Sequence, residues 1–209
     1  MKVGIITFHR GNANYGSSVQ AACLKQAIDA LGHDAHIIDH IARRSYIYPL
    51  LIRMFSLSRL RQFCQQCLIQ KNYLLPHIAP TKNMPLTAYD ALICGSDEIW
   101  KINMTRGYDP TYFLANASDS QRKISYAASH YYTREFTSKA NRIRTLLARL
   151  DAISVREQST ADMVENLTGK KPAIVLDPSL LPVNFSRKPH THHKPYLYLY
   201  IEGQITSAY

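Results

Sequence analysis

From His40 to Tyr89 the sequence contains no Asp and no Glu, although Arg43, Arg44, Arg53, Arg59, Arg61, Lys71 and Lys82 all fall in that window. Charged residues are sparse throughout, 19%, and the formal net charge is +10. A chain that is 46% apolar is not a disordered or solvating tail. At 209 residues it holds one complete domain, or one domain and a fragment. The positive excess favours an anionic partner, whether nucleic acid, a phosphorylated metabolite or an anionic membrane surface. Long apolar runs are lacking too. The longest, Tyr46 to Leu60, is interrupted by Pro49, Arg53 and Arg59 and falls short of the roughly 20 residues a membrane span needs. A secretory start is also missing, because the apolar opening Val3 to Phe8 runs into His9 and Arg10 rather than a small-residue cleavage site. With only four cysteines, these features predict a cytoplasmic protein with reduced thiols.

Further absences remove function classes. Gly11 and Gly16 have the spacing of a phosphate-binding P-loop, yet Ser17 stands where that loop requires Lys, which excludes a nucleoside triphosphatase of that kind. Cys64 and Cys67 form a C-x-x-C with no second cysteine pair, inside a stretch that reads as helix, so metal or redox chemistry is disfavoured. His190, His192 and His193 sit in a polar, Pro-containing stretch and read as solvated rather than as ligands. No recognition helix, zinc-finger spacing or RNA-binding aromatic motif supports a specific nucleic-acid partner.

What is present is an alternation of strand and helix. The opening KVGIITF is a short β-rich run. A Gly/Asn loop, HRGNANYGSS, follows it, and then VQAACLKQAIDALG, with helical periodicity ending at Gly32. HDAHIIDH suits a second strand, completing a β-α-β unit. SLSRLRQFCQQCLIQ reads as a helix and Pro76 to Pro85 as a loop. The remaining strands are Ala91 to Cys94 within YDALICGSDEIW, then RKISYAASH, AISVRE and AIVLDPSLL. A basic amphipathic helix near Ser138 to Leu150 and a short one near Ser159 to Leu167 fall among them. Such alternation predicts an α/β fold, a Rossmann-like, mostly parallel sheet flanked by helices, with ligands bound where the loops converge at the carboxyl ends of strands. The expected domain spans residues 1–185. A polar linker follows over 186–195. Tyr196, Tyr198 and Tyr200 then alternate with Leu197, Leu199 and Ile201 in what reads as the first strand, 196–209, of a second, incomplete domain.

The residues that stop each strand carry a resemblance. NANYGSSVQA, YDALICGSDEIW, KISYAAS, ISVRE and VLDPSLL, in that order over residues 1 to about 182, are together similar to the polysaccharide pyruvyl transferase family. The resemblance implies the N-terminal half of a two-domain fold like that of the GT-B glycosyltransferases, with the active site between the domains. It implies phosphoenolpyruvate as donor substrate, no further cofactor, a saccharide acceptor that is free or lipid-linked, and a pyruvylated sugar as product. The family's general-acid histidine belongs to the second domain and has no counterpart here. A catalytically silent remnant and a nucleotide-sugar-dependent glycosyltransferase are the competing expectations.

Phosphoenolpyruvate requires fixed positive charge and oriented N–H donors, together with a proton donor for the enol carbon and a base for the sugar hydroxyl. Asn14, Tyr15, Gly16 and Ser17 stand where the first helix begins, so its N–H groups and dipole suit an anion or a hydroxyl; the plainer alternative is a turn and helix cap. Asp97, just past a buried strand and beside Gly95 and Ser96, is the candidate base. Its plainer alternative is the N-cap of a helix starting near Glu98. Arg156, after the strand AISV, is the candidate donor-binding cation, because a guanidinium engages carboxylate or phosphate through two parallel hydrogen bonds; the plainer reading pairs it with Glu157. Ser129 and His130 end a further strand and line the cleft by position alone, while Asp177 and Pro178 shape the turn toward the linker. Trp100 reads as core, with an apolar or sugar-stacking wall as the alternative. The acid-free stretch, with Tyr46, Tyr48, Leu50, Leu51 and Ile52 among its arginines, suits peripheral attachment at the inner face of the membrane, or else an ordinary hairpin packed on the sheet.

Overall fold

The computed structural model describes residues 1–9, 15–40, 84–102, 108–130 and 139–181, together with residues 61, 64, 65, 67, 68, 71 and 75–81. Six parallel strands form one sheet: β1 (Lys2–Ile6), β2 (Asp34–Ile37), β3 (Ala91–Cys94), β4 (Arg122–Ala128), β5 (Ala152–Val155) and β6 (Ala173–Ile174). Their spatial order is β2-β1-β3-β4-β5-β6. Register is set by pairs such as Ile5↔Ile37, Ile6↔Cys94 and Cys94↔Ser125. The chain moves outward in one direction from β1 to β2 and in the other from β3 to β6, so the order reverses between β1 and β3. In a doubly wound sheet that reversal opens a crevice beyond the carboxyl ends of the two strands.

Each strand alternates its side chains between two apolar layers, which is why the strands read as near-continuous hydrophobic runs. Val3, Ile5 and Ala91 face helix α1 (Tyr15–Ala30) through Ala21, Ala22, Leu24 and Ile28, with Ile78 of the short helix α2 (Leu75–Ile78) closing that layer. Ile6, Leu92, Cys94 and Val155 face the other way. They meet Ile143, Leu146 and Leu147 of α3 (Ala140–Ala148), and Ala161, Met163 and Val164 of α4 (Gln158–Thr168). Fully burying a side chain such as Ile5, Ile6 or Leu92 contributes roughly 1.5–3 kcal/mol each. Trp100 belongs to this second layer: it is fully buried, stacks on Phe113 at 5.5 Å, and donates its Nε1–H to the Tyr112 carbonyl at 3.0 Å.

The described strands and helices follow the sequence expectations, with differences at the start of α1, in Pro76–Pro85 and at the last strand. Helix α1 begins at Tyr15, absorbing the YGSS that reads as loop, because Ser17 and Ser18 turn inward and find partners there. It ends as its glycine requires: Gly32, at φ 80°, donates to the Asp29 carbonyl, and His33 donates to that of Ile28. The stretch Pro76–Pro85 is not all loop, since Leu75–Ile78 is helical. The last strand is reduced to Ala173–Ile174, both exposed at the sheet edge, before Asp177 starts a 3-10 turn at Pro178–Leu180. Arginines in and just after α3 are bound locally, Arg142 over the Tyr108 ring at 5.5 Å, Arg144 to the Leu167 carbonyl, and Arg149 to the carbonyls of Ala115 and Ala117. No described helix is long and apolar enough to cross a membrane. Residues 41–60, the polar linker and the Tyr/Leu strand lie outside the described residues.

Candidate active site

The crevice beyond β1 and β3 contains a cavity of about 400 Å³ lined by Tyr15, Gly16, Ser17, Val19, Gln20, Asp97, Arg156, Asp177 and Ser179. Four chain segments build it: the first turn of α1, the exit of β3, the exit of β5 and the turn after β6. The exit of β3 has a backbone that few residues can adopt. Gly95 takes φ 115°, and a Cβ there would run into the backbone carbonyl oxygen of Tyr126 on β4. Only hydrogen fits. The Gly95–Ser96 peptide is cis, and Asp97 follows at φ 82°, in the left-handed region. The Ser96 side chain is buried in the protein, and the Asp97 carboxylate lies against the start of α1.

There Asp97 Oδ2 accepts a hydrogen bond of 2.6 Å from the Ser17 hydroxyl, and its Oδ1 accepts from the Glu98 N–H at 2.8 Å. The alternative, Asp97 as cap of a helix starting near Glu98, does not hold among the described residues; residues 98–100 make a turn closed by Lys101 N–H to the Glu98 carbonyl. A carboxylate beside the first turn of a 16-residue helix lies at the positive end of its dipole. The anion held at this helix start is therefore a side chain of the protein itself.

Arg156 faces the cavity from β5. Its Nη1 donates to Asp177 Oδ2 at 3.1 Å, and its Nε lies 3.6 Å from Glu157 Oε2. Burial opposes the guanidinium charge, but the carboxylates of Asp177, Asp97 and Glu157 outweigh it and raise its pKa further. Asp177 does shape its turn, accepting from the Ser179 N–H and hydroxyl on Oδ1. Its Oδ2 also belongs to the cavity, with Arg156 and the Ser96 hydroxyl, 3.2 Å away, as neighbours. Burial pushes the Asp177 carboxyl up, while the hydrogen bonds from Ser179 and Arg156 pull it down by more, so it sits below the ordinary carboxylate range.

The structure thus brings Tyr15, Gly16, Ser17, Asp97 and Arg156 to one cavity. Gly95 and Ser96 support it from behind, Ser96 being fully buried. Asn14 lies outside the described residues. Ser129 and His130 are not among the lining residues. The Ser129 backbone holds the exit of β3, donating to the Asp97 carbonyl and accepting from Trp100 N–H, both at 3.0 Å. His130 packs toward α4, its N–H and Nδ1 both at the Thr160 hydroxyl, and burial lowers its pKa against the opposing effect of Glu157.

Sequence reasoning passes over Gln20 and Thr7. Gln20 is buried; its Nε2 donates to Thr7 Oγ1, the Phe8 carbonyl and the Ser17 carbonyl at 2.8–3.0 Å, and its Oε1 accepts from Ser96 Oγ at 3.0 Å. Thr7 in turn donates to the Ser96 carbonyl at 2.7 Å. One carboxamide therefore joins the exit of β1, the first turn of α1 and the exit of β3. A signal for it exists in the sequence, since Gln20 falls in helical register with Ser17, Leu24 and Ile28 on the buried stripe of α1.

The pattern of the family described as polysaccharide pyruvyl transferase matches residues 14–204. The chain belongs to the polysaccharide pyruvyl transferase family. The match extends beyond the five strand-stopping strings, through the residues read as linker and Tyr/Leu strand, and no match is found among curated proteins. For a pyruvyl transferase family member the cavity is notable in its charge: its described lining residues carry two carboxylates, Asp97 and Asp177, against the single cation Arg156. Such a lining offers carboxylate acceptors for hydroxyl donors beside one guanidinium for an anion. No group of three or more His, Cys, Asp or Glu among the described residues is placed to hold a metal ion.

Proposed function

We propose that the chain acts in pyruvyl transfer from phosphoenolpyruvate to a sugar hydroxyl, and that the cavity seats the acceptor. The observation that carries this reading is the Asp97 carboxylate, held by Ser17 and the Glu98 N–H at the strand-order reversal, lining a cavity of about 400 Å³. That volume is in the range of small-molecule sites. A sugar hydroxyl entering it meets a carboxylate that is already oriented, as a general base must be. Arg156 borders the same space and supplies a planar donor array for the carboxylate or phosphate of phosphoenolpyruvate. The saccharide, free or lipid-linked, presents its hydroxyl between the two.

Calorimetric titration of phosphoenolpyruvate into the parent protein, Arg156→Ala and Arg122→Ala tests the donor side, Arg122 being exposed on β4 and outside the cavity. A charge-assisted contact contributes about 1.5–3 kcal/mol, so Arg156→Ala should weaken binding by about tenfold or more and Arg122→Ala very little. Equal losses in both variants, or competition by a nucleoside diphosphate in place of phosphoenolpyruvate, would refute the reading and favour a nucleotide-sugar donor.

A further inference from the structure

The exit of β1 holds a histidine whose two ring nitrogens both face acceptors. His9 is fully buried, and the Asp39 side chain is only 6% exposed. Nδ1 of the ring lies 3.1 Å from the Thr7 carbonyl oxygen, and Nε2 lies 3.0 Å from Asp39 Oδ1. A carbonyl and a carboxylate only accept, whereas a neutral imidazole has one N–H to give. In either neutral tautomer a nitrogen lone pair would face an oxygen inside the protein. Turning the ring over would take both nitrogens from their partners. Burial by itself favours the neutral ring, but removing the charge here sets acceptor against acceptor and takes away the cation beside the Asp39 carboxylate, which is the costlier outcome. Placing the proton on Asp39 is disfavoured because a carboxyl group holds a proton far more weakly than imidazole does. The site calls for two donors on one ring, and only the imidazolium has them.

We infer that His9 is a buried imidazolium, and that it is a positioning residue for the candidate base Asp97. Its ring joins the exits of β1 and β2, and its carbonyl holds the first turn of α1. When the pH rises until His9 gives up its proton, that turn loosens and Asp97 loses its fixed orientation. The connections are short. Asp39 is fixed at the exit of β2, its N–H donating to the Thr81 carbonyl at 3.2 Å. The His9 carbonyl accepts from the Ser18 hydroxyl at 2.8 Å, and the neighbouring Ser17 hydroxyl donates to Asp97. Thr7, the other partner of the ring, donates its hydroxyl to the Ser96 carbonyl. Without the proton, one of the two oxygens must move away from the ring, and the His9 backbone moves with it. Other charged groups at these strand exits are bound elsewhere: His40 to Asp109 at 2.8 Å, Arg156 to Asp177 at 3.1 Å, and Asp97 to Ser17 and the Glu98 N–H. From α1 the groups facing this exit, Ser18 and Gln20, are neutral. A histidine that holds its proton more tightly when folded contributes stability that is complete below its unfolded pKa and is lost as pH rises through the folded one, the reverse of His130. The charge on His9 stands apart from the acceptor reading; only the consequence for Asp97 as a base rests on it.

The test is nuclear magnetic resonance of the full chain, following the histidine ring nitrogens and the backbone amides as the pH is raised from 6 to 10. Both ring nitrogens of His9 should carry hydrogen at pH 8, where an ordinary histidine is roughly nine-tenths or more neutral. The amides of Gly16, Ser17 and Ser18 should shift with the same midpoint as the ring. Asp39→Asn removes the carboxylate charge at nearly constant size. It should lower the midpoint of His9 by about one pH unit or more, a tenfold weaker hold on the proton, and the same amides should shift at the lowered midpoint. Ser18→Ala cuts only the tie to the His9 carbonyl, so the ring should stay protonated while the amides of Gly16 and Ser17 cease to follow its titration. A neutral His9 at pH 8 in the parent overturns the imidazolium, and that result needs no variant to fold. An imidazolium whose titration leaves the first turn of α1 unmoved overturns the positioning role. An unchanged midpoint in Asp39→Asn overturns Asp39 as the group that holds the charge. Failure of the parent to bind phosphoenolpyruvate or a sugar would refute the acceptor reading and leave each of these results as it stands.

Discussion

Replacing Gly95 by alanine isolates the contact on which the candidate site stands. The φ of 115° at Gly95 is one that an L side chain rarely adopts, and the added methyl would collide with the backbone carbonyl of Tyr126. That carbonyl belongs to the neighbouring strand β4 and cannot rotate away as the tip of a side chain can. The backbone conformation alone costs about 1–2 kcal/mol. Overpacking adds about 1–3 kcal/mol, so the expected loss is about 3 kcal/mol. For a chain of this size each kcal/mol lowers Tm by roughly 2–4 °C, giving a fall of about 6–12 °C by calorimetry or circular dichroism. Gly169→Ala is the control: Gly169 also has a positive φ, 71°, at the end of α4, but nothing lies within 4 Å of its added methyl. It should cost only the backbone share, about 1–2 kcal/mol. If Gly95→Ala falls no further than Gly169→Ala, the close approach of β3 to β4 is not what fixes the exit of β3, and the argument for the placement of Asp97 fails with it.

Two further outcomes follow from the buried polar groups. Gln20→Leu removes the partner of Thr7, Ser96 and two carbonyls; an unsatisfied buried group costs about 1–3 kcal/mol, so the variant should lose about 3 kcal/mol in urea denaturation, against less than about 1 kcal/mol for breaking the surface pair Lys25–Asp29 with Lys25→Ala. His130, whose pKa is lowered by burial, binds its proton less readily folded than unfolded. Its contribution is complete above its unfolded pKa of about 6.5 and declines as the pH falls through that value toward the lower folded one. Unfolding free energies at pH 8 and 5.5 should therefore converge in His130→Gln relative to the parent, and an unchanged difference would refute the assignment.

Much of the fold is legible in the chain because it is written at short range. Ala91–Cys94 and Ala152–Val155 are apolar runs closed by glycine or charge, and α4 is bounded by Glu157 and Gly169; each expectation needs only the neighbouring residues. Asp97 and Arg156 could be singled out for the same reason, since any residue that stops a buried parallel strand lies at the sheet's carboxyl edge. Cavity membership follows a different rule. Ser129 and His130 also stop a strand, yet backbone bonds tie Ser129 to Asp97 and Trp100 and the Thr160 hydroxyl holds His130, so they support rather than line.

What the sequence by itself determined is the alternation of strand and helix, the family and the set of strand ends from which a site had to be drawn. The tertiary structure alone decided which of those ends meet. Ser17 reaches Asp97 across 80 positions and Ser96 reaches Asp177 across 81, contacts that no local periodicity encodes. They exist because the strand order β2-β1-β3-β4-β5-β6 opens a crevice between β1 and β3, and because a buried polar group such as Gln20, Ser96 or Asp177 must be satisfied by whichever partners that packing places beside it.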